Sequence, residues 1–248
     1  MKTDLGKVQH EASAHPENLS GRAGIPVWKR LLDLGCIIGS APVWLPAGFL
    51  IAAVIRAVSP GPIFFRQERV GYLGKRFWCF KFRTMVVNAD TAVHQEHVQR
   101  LMRSDGPMTK LDKNGDSRLI PCGLLLRTLG LDELPQLLNV LKGEMSLVGP
   151  RPCLPYEYEN YLPGHRQRCQ TLPGLTGLWQ TSGKNRTTFE EMIDLDVHYA
   201  RHKSFLMDLK IMVTTLPALA VQARDVKRSQ KLMHGSITRR FNARHAVE

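Results

Sequence analysis

The chain has 248 residues, 43% of them hydrophobic and 23% charged, which is long enough to bury a core and too apolar for global disorder. Its 34 Lys and Arg against 22 Asp and Glu leave a formal charge of +12, which calls for a polyanionic partner: nucleic acid, acidic lipid or a phosphorylated substrate. A disulfide framework is excluded, because Cys36, Cys79, Cys122, Cys153 and Cys169 are odd in number, widely spaced and preceded by no secretory signal.

The first 25 residues mix Lys2, Lys7 and Arg22 with Asp4, Glu11 and Glu17 and lack apolar periodicity, so residues 1–25 are expected to be a disordered leader. Between Asp33 and Arg56 no residue is charged, and Leu34 to Ile55 supplies 22 uncharged positions, close to the ~20 that cross a bilayer as a helix. A straight span and a buried core helix are both open readings of such a run. Two details favour a third. Pro42 and Pro46 sit mid-segment, where each removes a helix donor and promotes a kink. Lys29 and Arg30 precede the segment, while Arg56, Arg66, Arg69, Lys75, Arg76, Lys81 and Arg83 follow it, and an excess of Lys and Arg marks the cytoplasmic side. Residues 26–58 are therefore expected to form a re-entrant membrane helix hairpin that enters and leaves one leaflet. Ser40, water or neighbouring protein would serve the carbonyls freed by the prolines.

Ser59-Pro60-Gly61-Pro62 is a stiff turn that must end this helix. Ile63-Phe64-Phe65 and Phe77-Trp78-Cys79-Phe80-Lys81-Phe82 predict two short strands around Gly71 to Gly74, a β-hairpin. Farther on, Leu134, Leu137, Leu138 and Leu141 recur at helical spacing, Pro135 fits only a first turn, and Gly143 suits the position after the last. Asp132 then stands at or beside the N-cap. Ser204 to Val221 is apolar but interrupted by Asp208, Lys210 and Pro217, which suits a helix lying in a membrane interface. Beyond it, residues 226–248 read as a basic tail, carrying Lys227, Arg228, Lys231, Arg239, Arg240 and Arg244, either near anionic lipid or simply solvated. The expected fold class is mainly α with a small β-hairpin (α+β): a cytosolic domain over 59–225, a monotopic membrane segment and interfacial helices.

Three stretches could carry chemistry. In the first, Asp132 and Glu133 are either a helix cap with a dipole-stabilising neighbour or a working pair, one carboxylate attacking phosphorus and the other holding a divalent cation. A helix N-terminus with Arg127 nearby suits phosphate, and phosphoryl transfer depends on such positioning and charge neutralisation. The second, Gly149-Pro150-Arg151-Pro152, is a stiff loop whose Arg151 either meets a phosphate or is solvated. The third runs from Leu172 to Arg186, with Gly174, Gly177 and Gly183 for close approach, Trp179 as a flat surface, and Lys184 and Arg186 as cations. It is either a cradle for a nucleotide diphosphate or a packing loop.

Together with Lys29-Arg30-Leu-Leu-Asp33, Phe65-Arg-Gln67, Lys81-Phe-Arg83-Thr-Met85, Leu131-Asp-Glu-Leu-Pro-Gln136, Ser146-Leu-Val-Gly-Pro-Arg-Pro152, Pro173-Gly-Leu-Thr-Gly177 and Leu195-Asp-Val-His-Tyr199, these stretches resemble the bacterial monotopic phosphoglycosyl transferases. Those sugar transferases begin exopolysaccharide and glycoconjugate assembly on undecaprenyl phosphate. The resemblance covers about residues 26 to 225. It implies transfer of a sugar 1-phosphate from a UDP-sugar to undecaprenyl phosphate, with release of UMP, at the cytoplasmic face of the bacterial inner membrane. It further implies Asp132 as the nucleophile of a covalent intermediate, Glu133 with Asp132 at Mg2+, and Arg127 on the polyprenyl phosphate. Arg151, Lys81, Arg83, Gly174, Gly177, Lys184 and Arg186 would bind substrate, and Asp196 would be structural or lie behind the site. Pro46 matches a Ser-Pro pair of the family's re-entrant helix, with Leu45 in place of the Ser.

Competing classes are disfavoured by where the charges lie. A nucleic-acid binder needs a basic helix or an aromatic-studded sheet, whereas here the basic residues flank an apolar segment and a phosphate-type site, so no nucleic acid is expected. An idle membrane adaptor has no use for Arg127, Asp132 and Glu133 together. A lipid-diphosphate hydrolase, in which water intercepts the same intermediate, is the nearest enzymatic alternative.

Overall fold

The computed structural model describes residues 24–87, 92–102, 104, 106–108, 118–183, 187–215 and 217. The expected leader and basic tail, and with them Lys184 and Arg186, lie outside the described residues, apart from the last two positions of the leader.

Helix α1 (Val27–Val58) is one continuous helix that runs through both Pro42 and Pro46, where the sequence reading expects a hairpin. Pro60 obliges Ser59 to be extended, at φ −152 and ψ 123, and so ends the helix. The two side-chain donors nearest the prolines are local: Ser40 Oγ donates to the Cys36 carbonyl at 2.6 Å and Trp44 Nε1 to that of Ile37 at 3.0 Å. Both arms of α1 pack on the same body. Ile37 joins Phe77, Cys79, Leu137, Val140 and Met145, while Ile51 and Ile55 join Phe82, Ile120 and Leu126. Leu134 packs against both clusters. Away from this body the helix is bare: 11% of its most apolar 18-residue window is buried, which removes the reading of a buried core helix.

The predicted hairpin is present and longer than the apolar runs suggested. Strands β1 (Phe64–Val70) and β2 (Arg76–Phe82) pair antiparallel from Phe64 opposite Phe82 to Val70 opposite Arg76. A second, parallel pair, β3 (Ser146–Val148) with β4 (Gly174–Thr176), has no counterpart in the sequence reading. Three-residue strands show no usable alternation, and only the tertiary fold brings these two together.

Of the remaining helices, α2 (Ala92–Met102), α3 (Gly123–Leu129), α4 (Gln136–Lys142), α5 (Pro155–Glu159) and α6 (Leu178–Thr181) are short. Helix α7 (Phe189–His202) opens on a capping box in which Thr188 Oγ1 accepts from Glu191 N–H and Glu191 accepts from Thr188 N–H. A last helix, α8, covers residues 205–215, in the stretch read as interfacial, and leaves Phe205, Leu206, Leu209 and Val213 exposed. It turns Asp208 inward, where Lys29 Nζ of α1 meets Asp208 Oδ2 at 2.5 Å, the Tyr199 hydroxyl at 2.8 Å and the Val148 carbonyl at 2.8 Å. The flank charge Lys29 is thus an anchor between α1, β3, α7 and α8.

All five cysteines are free thiols, in keeping with the reduced state read from their spacing.

Candidate functional site

The carboxylate pair sits on a ribbon whose shape follows from one glycine and one proline. Gly130, at φ +69, caps α3 in the left-handed region, where the missing Cβ removes the steric cost. The chain then enters a 3-10 turn over Leu131–Glu133, and Leu134 and Pro135 keep helical torsions into α4. Pro135 has no N–H to give to the Leu131 carbonyl; Leu134 N–H bonds that carbonyl instead, at 3.3 Å. Asp132 therefore lies inside the opening 3-10 turn, three residues ahead of the N-cap position that Pro135 occupies. Gly143 ends α4 at φ +78, as its place in the sequence implies.

Asn139, fully buried, docks this ribbon against β2. Its Oδ1 accepts from Phe80 N–H at 3.1 Å and its Nδ2 donates to the Trp78 carbonyl at 2.7 Å, so the side chain takes over strand hydrogen bonds on either side of Cys79. Sequence reasoning missed Asn139. Its signal was an asparagine, which competes for backbone hydrogen bonds, among the leucines of an amphipathic helix.

With β2 held there, Lys81 Nζ reaches Glu133 Oε1 at 2.8 Å, the Lys81 side chain 25% and the Glu133 side chain 41% exposed. Asp132 is buried at 8%. The adjacent carboxylates thus differ in exposure, one sheltered and the other open. Arg127 lies half-buried in the last turn of α3, and the left-handed Gly130 links that helix to the same turn.

Arg151 stands on the loop that follows β3. Burial pushes up the Cys79 thiol of β2, and the cations Lys81, Arg69 and Arg151 oppose that rise. Arg151 is not a solvated turn residue: its Nη1 pairs with Glu157 Oε1 at 3.3 Å. Burial alone would raise the Glu157 carboxyl, but Arg151 and Arg69 overcome it and hold the group below the usual carboxylate range. The stabilisation from this ionised group is present at neutral pH and is lost as pH falls through the depressed value.

Other expected contacts take structural places. Arg83 is buried, and its Nη1 and Nη2 donate to the carbonyls of Pro60 and Ser59 at 2.8 Å each, clamping the end of α1. Trp179 is no open stacking surface; it is 4% exposed in the core, with Nε1 bonded to Thr187 Oγ1 at 2.7 Å. Gly174 and Gly177 serve a close approach, but between two backbones. A Cβ on Gly174 would lie 2.1 Å from Gly149 N, and one on Gly177 2.2 Å from Gly149 O. Gly174→Ala must therefore push β4 away from the Gly149 loop. We expect a loss of about 3 kcal/mol, the upper range for overpacking, read as a lowered urea midpoint with unchanged slope.

Mg2+ can be tested against the donor set. Among the described residues no group of three or more His, Cys, Asp or Glu converges, so a closed protein cage is absent there. Two hard carboxylates on one turn fit Mg2+ all the same, since this ion is commonly bound through one or two carboxylates plus substrate phosphates and waters.

Comparison with known proteins places the chain in a family. Residues 25–222 match the family described as bacterial sugar transferase. The chain is 37% identical over 191 residues to the exopolysaccharide production protein ExoY of Sinorhizobium fredii, covering 77% of this chain and 83% of that protein. It is 37% identical over 224 residues to the UDP-glucose:undecaprenyl-phosphate glucose-1-phosphate transferase of Caulobacter vibrioides, covering 87% and 78%. It is also 37% identical to the undecaprenyl-phosphate galactose phosphotransferase of Salmonella typhimurium, covering 79% of this chain and 41% of that longer protein. The carboxylate turn, the arginine loop and the bare helix α1 therefore belong to an enzyme, and the chain is a member of the bacterial sugar transferase family.

Proposed function

We propose that the chain transfers a sugar 1-phosphate from a UDP-sugar to undecaprenyl phosphate, with release of UMP, through a covalent intermediate on Asp132. The observation that carries this reading is the contrast in exposure within the pair: Asp132 is buried at 8%, while 41% of the Glu133 side chain is exposed. An Asp132 carboxylate oxygen attacks the phosphorus that bears the sugar. The bond from that phosphorus to the bridging oxygen breaks, and its electron pair leaves with UMP. An oxygen of the polyprenyl phosphate then attacks the same phosphorus and expels Asp132 unchanged. Glu133 with Asp132 would hold Mg2+, which supplies neutralisation of phosphate charge. Lys81 keeps Glu133 oriented, Arg151 meets the nucleotide-sugar phosphates, and Arg127 meets the acceptor phosphate.

The membrane reading draws on the bare face of α1 and its neighbour. Val43 and Phe49 of α1 are 74% and 75% exposed and Leu206 of α8 is 74% exposed, an apolar surface larger than scattered single residues explain. The packing of both arms of α1 on one body supports the reading that both ends lie on the cytoplasmic side and that the helix dips into a single leaflet of the inner membrane without crossing it. Cysteines placed at Ser20 and Leu73 should both react with a membrane-impermeant maleimide from the cytoplasmic side; labelling from opposite sides would make α1 a true span.

The chemistry is tested by incubating the chain with Mg2+ and labelled UDP-glucose or UDP-galactose, without acceptor. We expect about one UMP per active site, with label retained on Asp132, and transfer of that label to lipid when undecaprenyl phosphate is added. Free sugar phosphate in place of labelled lipid would identify a hydrolase, and no UMP at all an idle adaptor.

A further inference from the structure

The loop that carries Arg151 is held to an unusual degree by groups the proposed reaction does not itself use. Four consecutive carbonyls, those of Pro150, Arg151, Pro152 and Cys153, each accept a hydrogen bond. The donors are Gly174 N–H at 2.9 Å, Arg168 Nη2 at 3.0 Å, Arg69 Nη1 at 3.0 Å and Val70 N–H at 2.9 Å. Ahead of them, Gly149 N–H donates to the Thr176 carbonyl at 2.8 Å. Two of the four donors are buried guanidiniums, Arg168 at 1% and Arg69 at 6% exposure. Arg168 is held in turn by the Tyr161 hydroxyl and the fully buried Asp196 carboxylate, and Arg69 by Gln67 Oε1 at 2.7 Å.

Burying a guanidinium costs several kcal/mol of desolvation, and an apolar residue of similar volume is often as good for stability. Two such groups spent on adjacent carbonyls of one loop make better sense as a device for geometry. The side chain of Arg151 branches just ahead of this pair, between the bound carbonyls of Pro150 and Arg151, and it is the one guanidinium of the three with appreciable exposure, at 25% of its side chain. Three guanidiniums, Arg69, Arg151 and Arg168, face two carboxylates, Glu157 and Asp196, so the cluster keeps a positive charge that a docking phosphate would balance.

We propose that Arg69 and Arg168, the latter through Asp196, are positioning residues that fix the Arg151 guanidinium for the diphosphate of the nucleotide sugar. The proposal rests on the function argued above and gives roles to Gln67 and Asp196, two motif residues that the chemistry leaves unused. Preset donors raise affinity because no reorganisation is needed when the anion arrives.

The test uses the full chain in lipid nanodiscs with Mg2+ and labelled UDP-glucose or UDP-galactose, whichever supports release. Single-turnover UMP release without acceptor is measured against nucleotide-sugar concentration. Asp196→Asn and Arg69→Lys should each raise the half-saturating concentration about tenfold, the size expected for a small misplacement of a binding group. The half-saturating concentration of undecaprenyl phosphate in full turnover should not move. Gln67→Ala, which removes only the bond that aims Arg69 and leaves the buried charges in place, should shift the same constant in the same direction by less, and it covers the case in which the buried variants fail to fold. A merely structural role would lower thermal stability and the plateau amount of UMP while leaving half-saturation unchanged. That pattern, or equal shifts for both substrates, would overturn the proposal with the function reading intact. Absence of UMP release from the wild-type chain would overturn both.

Discussion

Asp132→Asn is expected to abolish turnover, by on the order of 10³-fold or more, as loss of a nucleophile does in other covalent enzymes. The substitution is chosen because it separates the two roles open to this residue. Asparagine keeps the size of aspartate and one side-chain oxygen that can accept a hydrogen bond, so if Asp132 only shapes the 3-10 turn, stability and activity should both survive. A carboxamide cannot form the acyl phosphate, so if Asp132 attacks phosphorus, labelled sugar phosphate will no longer be retained on the protein and UMP release will stop. Near-normal release from the variant would reduce Asp132 to a structural residue. Glu133→Gln makes the complementary case. The amide can still accept from Lys81, but it is a poorer partner for a divalent cation, so the main loss should be a higher Mg2+ requirement.

Lys29→Met is expected to have the largest effect on stability. Lys29 is 0% and Asp208 1% exposed, joined to each other and to the Tyr199 hydroxyl. Methionine keeps the length and apolar stem of the side chain while stranding the Asp208 carboxylate in the interior, and breaking a buried pair in this way costs about 3–5 kcal/mol. For a domain of this size that corresponds to a fall in melting temperature of roughly 10 °C. The double variant Lys29→Met with Asp208→Leu removes both charges and should recover much of the loss, because the pair and its apolar replacement are often close in free energy. A melting temperature unchanged in the single variant would show that the pair contributes nothing to holding α1.

Several features were legible in the residues alone because they depend on local chemistry. The prolines and the uncharged run announced an apolar segment of unusual kind, and aromatic strands around glycines announced the hairpin. Leucine spacing between Pro135 and Gly143 marked α4. The same spacing could not place Asp132 to the residue, because whether Pro135 opens the helix or follows a 3-10 turn depends on hydrogen bonds within three residues, which a period of 3.6 does not resolve.

Charge was the harder quantity to read. A sequence records that Lys29, Arg69, Arg83 and Arg168 are cations and not whether they are desolvated. As flank charges Lys29, Arg69 and Arg83 looked like one basic rim, yet all three are buried and each holds a different piece of backbone. Likewise Gly174 and Gly177 signalled close approach without naming the neighbour, which proved to be Gly149. By itself, then, the sequence determined the family motifs, the apolar helix and the carboxylate turn, since these are set by residue types at short spacing. Only the tertiary structure decided which distant segments meet: Lys81 reaches Glu133 from 52 residues away and Arg168 holds the Arg151 carbonyl from 17, and contacts between distant segments exist only once the chain has closed on itself.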